Sequence, residues 1–248
     1  MTNTRNISTI FKREFKSYFD SPVAYVFLVA FLVLTGVMTF ILQSYYERRQ
    51  ANLTPFFQMI PWVYLLLIPA STMGLWAEER RTGTIELLLT LPVTLMEALI
   101  GKFLAAWAFI GIAIGLTFPI VITTAWLGDP DMGAVFCGYL GSFLLAGACV
   151  AIGIFSSALS RSQVIGFVIA LSISLFMLII GIDQVIGALA QWRVPSRIVN
   201  GIASLSLMQH FDAMRRGVID FYDIGYYIGI MVFMLSAAHF VTESRKAS

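Results

Sequence analysis

Apolar runs long enough to cross a bilayer recur along most of this chain, at about 25–43, 56–76, 100–126, 135–159, 164–182 and 224–241. A spanning helix needs about 20 mainly apolar residues, and lipid offers a bare backbone group no partner, so each run is read as a helix. The expected fold class is therefore an all-α integral membrane protein with six transmembrane helices. Composition agrees: 58% of residues are hydrophobic and 12% charged, against about a quarter charged in soluble domains. Six spans leave little chain for a soluble unit, so residues 1–248 are expected to form a single membrane domain. The net charge of +2 is too small to point to nucleic acid. The first run begins near Val23 without an A-x-A-like exit and is expected to remain as an uncleaved anchor.

The two cysteines, Cys137 and Cys149, fall in one run. Twelve helical residues place them roughly 18 Å apart, too far for a disulfide. That run is also rich in Gly and Ala, which lets neighbouring helices approach closely. Pro69 falls inside the second run and is expected to kink it.

Between the second and third runs lies the most polar stretch of the chain, Glu78-Glu79-Arg80-Arg81-Thr82-Gly83-Thr84-Ile85-Glu86-Leu87-Leu88-Leu89-Thr90-Leu91-Pro92. Four consecutive ionised side chains cannot be solvated by lipid, so it is expected in water at a membrane face. Thr82 can cap a short helix, Glu86 near its start suits the helix dipole, and Pro92 stops it. Leu87, Leu88 and Leu91 make an apolar face suited to a groove on another protein. Thr94-Leu95-Met96-Glu97 then has capping-box spacing and starts the third span.

Residues 5–20 carry Ile7, Ile10, Phe11, Phe15, Tyr18 and Phe19 on one side and Lys12, Arg13 and Lys16 on the other. That spacing predicts a helix lying in the membrane surface, ended by Asp20-Ser21-Pro22. Tyr45 and Tyr46 suit the interfacial belt after the first span. Residues 183–223 are too apolar for a solvated loop. Leu205, Met208, Phe211 and Met214 recur every third residue and predict one or two short helices on, or dipping into, the outer leaflet. Arg215 and Arg216 complement a helix C-terminus, and Gly217 supplies a left-handed cap. Asp220 and Asp223 can cap the last span. Such a segment could gate an exit or only cover the bundle.

Six spans place both ends on one side. Ten Lys and Arg fall on that side and six on the other, so both termini are expected in the cytoplasm.

Catalytic signatures are sparse. There is no H-E-x-x-H, no C-x-x-C and no P-loop; Gly101-Lys102 lacks the upstream glycine and following hydroxyl. The chain is expected not to be an enzyme and to bind no cofactor or metal. Two alternatives stay open. An intramembrane serine protease would draw on Ser142 with His210 or His239. An ion-coupled carrier would need a mid-membrane acid, and the spans hold none.

The stretch Glu79-Arg80-x-x-Gly83-Thr84-x-Glu86-x-Leu88, followed by Pro92-Val93-Thr94 and Gly101-Lys102, resembles the signature of type 2 ATP-binding-cassette permeases. Lys12-Arg13-Glu14-Phe15-Lys16-Ser17-Tyr18-Phe19-x-Ser21-Pro22 resembles that family's amphipathic connecting helix, here residues 1–22. His210-Phe211-x-x-x-x-Arg216-Gly217-Val218-Ile219-Asp220 resembles its outer region before the last span. The likeness is greatest to the branch linked to gliding motility and nitrous oxide reductase maturation.

The resemblance implies a permease subunit of a bacterial inner-membrane transporter, expected to export. ATP and Mg would sit on a separate ATPase present in two copies, paired with a second permease chain, the same or different. Membrane lipid would surround it, and an accessory periplasmic protein fits the arrangement. Glu79, Arg80, Gly83, Thr84, Glu86, Leu87, Leu88 and Pro92, within a coupling helix at 78–92, would meet the ATPase. His210, Phe211, Arg216, Gly217 and Asp220 would form an outer gate or lid.

Overall fold

The computed structural model describes residues 4–43, 45, 52–83, 93–191 and 195–244. Every regular element among them is helical. The first is α1 (Thr4–Asp20), which Ser21 and Pro22 separate from α2 (Pro22–Val37). Ser21 accepts the Val23 N–H through its side chain and Pro22 stands at the first helical position, where a missing N–H costs nothing. A π-helical turn, Met38–Leu42, extends α2 into the first span.

The second span is α3 (Thr54–Thr72) continued by α4 (Gly74–Arg81), with a break at Met73 four residues after Pro69. The kink expected from Pro69 is present. The third is α5 (Leu95–Gly115) and α6 (Pro119–Leu127). The sequence reading made this one continuous helix, but Pro119 cannot donate to the ladder and the chain turns at 116–118. The fourth is α7 (Met132–Leu159), started by Asp131, whose carboxylate accepts from Gly133 and Ala134.

After α8 (Gln163–Ile179) come three short helices, α9 (Asp183–Gln191), α10 (Ser196–Ala203) and α11 (Leu207–Arg215), then α12 (Phe221–Ser244). Five of these segments are long and apolar enough to cross a membrane. The sixth, α8, has 17 residues, at the short end of the spanning range of roughly 17–25.

The bundle is organised around α7, 78% of whose apolar window is buried, against 17% for α12. Lipid supplies no hydrophobic drive between helices, so close van der Waals packing has to hold them. The glycines of α7 provide it. A Cβ at Gly138 would strike Phe57 of α3, at Gly141 Met214 of α11, at Gly147 Met231 of α12, and at Gly153 Thr72 of α3. One helix thus packs closely against three neighbours, α3 at two places and α11 and α12 at one each. Both cysteines are buried and unpaired with one another.

Tyr45 is buried against the bundle, and its hydroxyl meets Thr124 of α6 at 2.6 Å. Leu205 lies outside the face it was assigned to and is 55% exposed, because α11 starts only at Leu207, behind Ser206 as N-cap. Phe211 and Met214 do face inward and are fully buried.

Gly217 ends α11 as expected. It has φ +87°, its N–H bonds to Met214, and the Val218 N–H bonds to Ala213, the paired bonds of a left-handed cap. Asp220 accepts from Tyr222 at the head of α12. Asp223 does not cap the helix; its carboxylate is turned to His210 instead.

A β-branched residue at Gly217 would meet both a disfavoured dihedral and the Ala134 backbone 3.2 Å away. Gly217→Val should lower stability by about 1–3 kcal/mol, read as a lower Tm in detergent with faster proteolysis within 183–220. Gly217→Asn should avoid most of that loss, since Asn tolerates the left-handed region. Equal stability of wild type and Gly217→Val would show that the cap does not fix this segment.

Candidate functional site

The sequence-assigned residues fall at opposite ends of the bundle. Ser157, where α7 meets α4, and Gly141, where it meets α11, are separated by sixteen residues of one helix, or about 24 Å. At the α4 end the arrangement is set by one ammonium. Lys102 lies on α5, with its side chain 3% exposed. Its Nζ is 2.7 Å from Glu79 of α4 and 3.2 Å from Glu14 of α1. The Trp76 ring lies 5.7 Å from the same nitrogen. A cation removed from water this far must be matched by anions, and the two carboxylates come from two other helices.

Each partner is itself held. Arg13 donates to Glu14 at 2.7 Å. Burial pushes the Glu14 carboxyl up, but the charge of Lys102 and the hydrogen bond and charge of Arg13 outweigh it, so Glu14 lies below its ordinary value of 4.5. Its share of the α1 contact is thus complete above that value and is lost only as pH falls through the lowered one.

The closeness of α1 to α5 depends on Gly101, where a Cβ would lie 2.7 Å from the Ile10 side chain. Tyr18 stacks on Phe109 at 4.7 Å further along the same interface. The amphipathic helix therefore spends part of its apolar face on the bundle.

Helix α4 is pinned from its other side. The Ser157 hydroxyl accepts from the Trp76 and Ala77 N–H groups and donates to the Met73 carbonyl. This supplies the groups left unbonded at the break between α3 and α4. Gln163 of α8 donates to Glu78 at 2.6 Å, and Arg81 donates to the other oxygen of that carboxylate.

The charged stretch that the sequence reading placed in water is thus helical through Arg81 and partly buried. Thr82 closes α4, and the helix it was expected to start lies outside the described residues. Its N–H and its hydroxyl both donate to the Glu78 carbonyl, and Gly83 follows with φ +73°. Arg80 lies half-buried on α4.

Thr84, Glu86, Leu87, Leu88 and Pro92 lie outside the described residues. The chain resumes at Val93, and Thr94 and Glu97 form the expected capping box. Asn6 of α1 donates to Glu97 at 3.1 Å. Both flanks of residues 84–92 are therefore tied to α1, one through Glu79 and Lys102, the other through Glu97. Glu14, Asn6, Ser157 and Gln163 were given no individual role from sequence, and Lys102 entered only as a topological charge and within the Gly101-Lys102 match. The available signal was a lysine at the eighth residue of an apolar helix, which needs a partner.

At the far end, His210 is buried on α11. Its Nδ1 is 2.6 Å from the Asp223 carboxylate and its Nε2 is 3.0 Å from the Ser204 carbonyl. A carbonyl can only accept, so Nε2 is the nitrogen that donates to Ser204. Tyr226 stacks on the ring at 3.9 Å. Phe211 is core, whereas Arg216 and Asp220 are exposed.

A protease serine is not served by this histidine, since both ring nitrogens are taken. Ser142 donates to Gly138 on its own helix, and His239 lies beside Glu243 at the end of α12.

Removing the ammonium would take the shared buried cation from two carboxylates that keep only 15% and 20% exposure. Lys102→Met should cost about 3 kcal/mol, the low end for a broken buried pair. The triple variant Lys102→Met, Glu14→Gln, Glu79→Gln should recover most of that loss in thermal unfolding. A single variant as stable as wild type, or a triple variant no better than the single, would contradict this account of the cluster.

Comparison with known proteins supplies what geometry cannot. No curated protein matches the chain. The model of the ABC-2 family transporter protein matches residues 8–238, a span that holds most of α1, the Lys102 cluster and the His210–Asp223 pair together. With a bundle of apolar helices and a match over nearly its whole length, the chain belongs to the ABC-2 transporter family, as a membrane transport subunit.

Proposed function

We propose that this chain is the permease of an exporter in the bacterial inner membrane, driven by a separate ATPase that docks on residues 78–92. Both termini lie in the cytoplasm. Two permease chains, identical or not, pair with two ATPase copies, and those copies hold the ATP and Mg. The single observation that supports the reading best is Lys102 bridged to Glu14 and Glu79. A push on residues 84–92 enters the protein through flanks that are tied by buried charge to α1, α4 and α5. It therefore tilts a cluster of helices instead of bending one connection.

The energetic demand on that docking is modest. A partner shifts a two-state permease only by the difference in its affinity for the two states. Leu87 and Leu88 would contribute about 1.5–3 kcal/mol each if fully removed from water, with Glu79, Arg80 and Glu86 orienting the contact. Gly83 and Pro92 set where the coupling helix starts and stops, and Thr84 lies at its head. At the opposite end, the outer segment around His210, Phe211, Arg216, Gly217 and Asp220 gates or covers the exit. The burial of Phe211 and Met214 against α7 favours a plug that moves with the bundle over a loose flap.

Replacing both Leu87 and Leu88 with Asp should release the ATPase from the purified complex while the permease stays inserted in the membrane. ATPase that still co-purifies in full would overturn the docking assignment. Transport that survives depletion of ATP would replace the whole reading with an ion-coupled carrier.

A further inference from the structure

Beside the Lys102 cluster, the outward side of α1 does not close on the bundle. Ile7 and Phe11 of α1 face Leu104, Trp107 and Ala108 of α5 and Phe143 of α7 across an open groove of about 460 Å³. That volume is within the range of small-molecule sites, about 300–1,000 Å³. Its floor is flat and carries no available donor. Trp107 stacks on Phe143 at 4.4 Å, with the planes 14° apart, and its indole N–H is already given to the Phe143 carbonyl at 2.8 Å. Gly147 makes room for that ring, since a Cβ there would lie 3.0 Å from it. A polar molecule finds nothing to bond on such a floor, whereas hydrocarbon loses nothing by lying on it.

Charge stands beyond the lip. Thr4 and Ser8 line the groove, and the i, i+4 row they begin continues through Lys12 and Lys16. Both lysines are exposed, and neither is in a salt bridge among the described residues, whereas the neighbouring Arg13 is engaged by Glu14. The row drifts away from the groove by about 40° at each step. Lys12 therefore stands about 40° past Ser8 and Lys16 about 80° past it, one and two turns beyond the groove's polar lip. An apolar slot open sideways with two cations beyond its lip matches one membrane component, a phospholipid with a negatively charged headgroup.

We infer that this groove seats an acyl chain of an anionic phospholipid, with its phosphate held by Lys12 and Lys16. The inference rests on the proposed cytoplasmic placement of α1, the leaflet where such lipids meet basic side chains. Bound there, the lipid fills the gap between α1 and the bundle, and its headgroup holds down the helix that carries Glu14.

The test is native mass spectrometry of the full chain released from nanodiscs of matched-chain phosphatidylglycerol and phosphatidylcholine. Wild type should retain phosphatidylglycerol in preference. Lys12→Glu with Lys16→Glu should lower that retention by about fivefold for each lysine and leave phosphatidylcholine unchanged. Ala108→Trp, which fills the groove, should lower retention of both lipids. Leu104→Trp serves the same purpose if the first variant does not fold.

Unchanged retention in a correctly folded groove-filling variant would overturn the proposal. So would equal retention of the two lipids by wild type, a retained molecule that is not a lipid, or a Ser8→Cys cross-link between two copies of the chain. Labelling of the N-terminus from outside the cell would sink the cytoplasmic placement without changing retention by the isolated protein, so the two failures are separable.

Discussion

A lysine ammonium buried among membrane helices is the constraint from which the rest of this structure follows. Lys102 cannot stay ionised there alone, and its neutralisation draws a carboxylate from each of two helices that share no covalent proximity with it. Glu79 fixes how the second span leaves the bundle; Glu14 fixes where the N-terminal helix lies. A hydrophobic contact would tolerate sliding along the helix. A charge-assisted contact of 2.7 Å tolerates little, so it sets register as well as attachment. That precision is what a transmission element requires. Stability alone would be served about as well by apolar residues of similar volume.

The two ends of the bundle use polar groups in the same way. At the α4 end, a serine hydroxyl completes backbone bonds left open at the break between α3 and α4, and a glutamine amide holds the Glu78 carboxylate. At the other end, a histidine with both nitrogens engaged joins α11 to α12. Between them, α7 runs the length of the molecule, with glycines where neighbours cross. A rigid central helix with a polar clamp at each end offers a mechanical path from one membrane face to the other. The glycines let that path pack tightly where hydrophobicity cannot help.

Features governed by local chemistry were legible in the sequence. The Thr94–Glu97 box, the Gly217 cap, the amphipathic α1 and the kink at Pro69 all depend on residues within one or two turns. Tertiary pairings were not legible. Ser157 is one of several serines on a Gly- and Ala-rich helix, and only the break at Met73 across the interface gives its hydroxyl three backbone partners. Asp223 has the position of a cap, but a buried histidine competes for its carboxylate more effectively than exposed N–H groups do. Lys102 was counted as a topological charge at the membrane edge, since nothing in its neighbours announces Glu14 or Glu79. Family resemblance marked Glu79, Arg80 and Gly83 as important, yet gave no reason for Glu79. The reason lies across the interface, on α5.

The central claim is that α1 and α4 behave as one body because Lys102 ties them. The distance between spin labels at Ser17 of α1 and Arg81 of α4, measured by pulsed resonance in the assembled transporter with and without nucleotide, tests it most directly. The account predicts one narrow distance that nucleotide does not change, and a broad distribution once Lys102 is replaced by Met. A distance that shifts with nucleotide while Lys102 is intact, or stays narrow without it, would contradict the account.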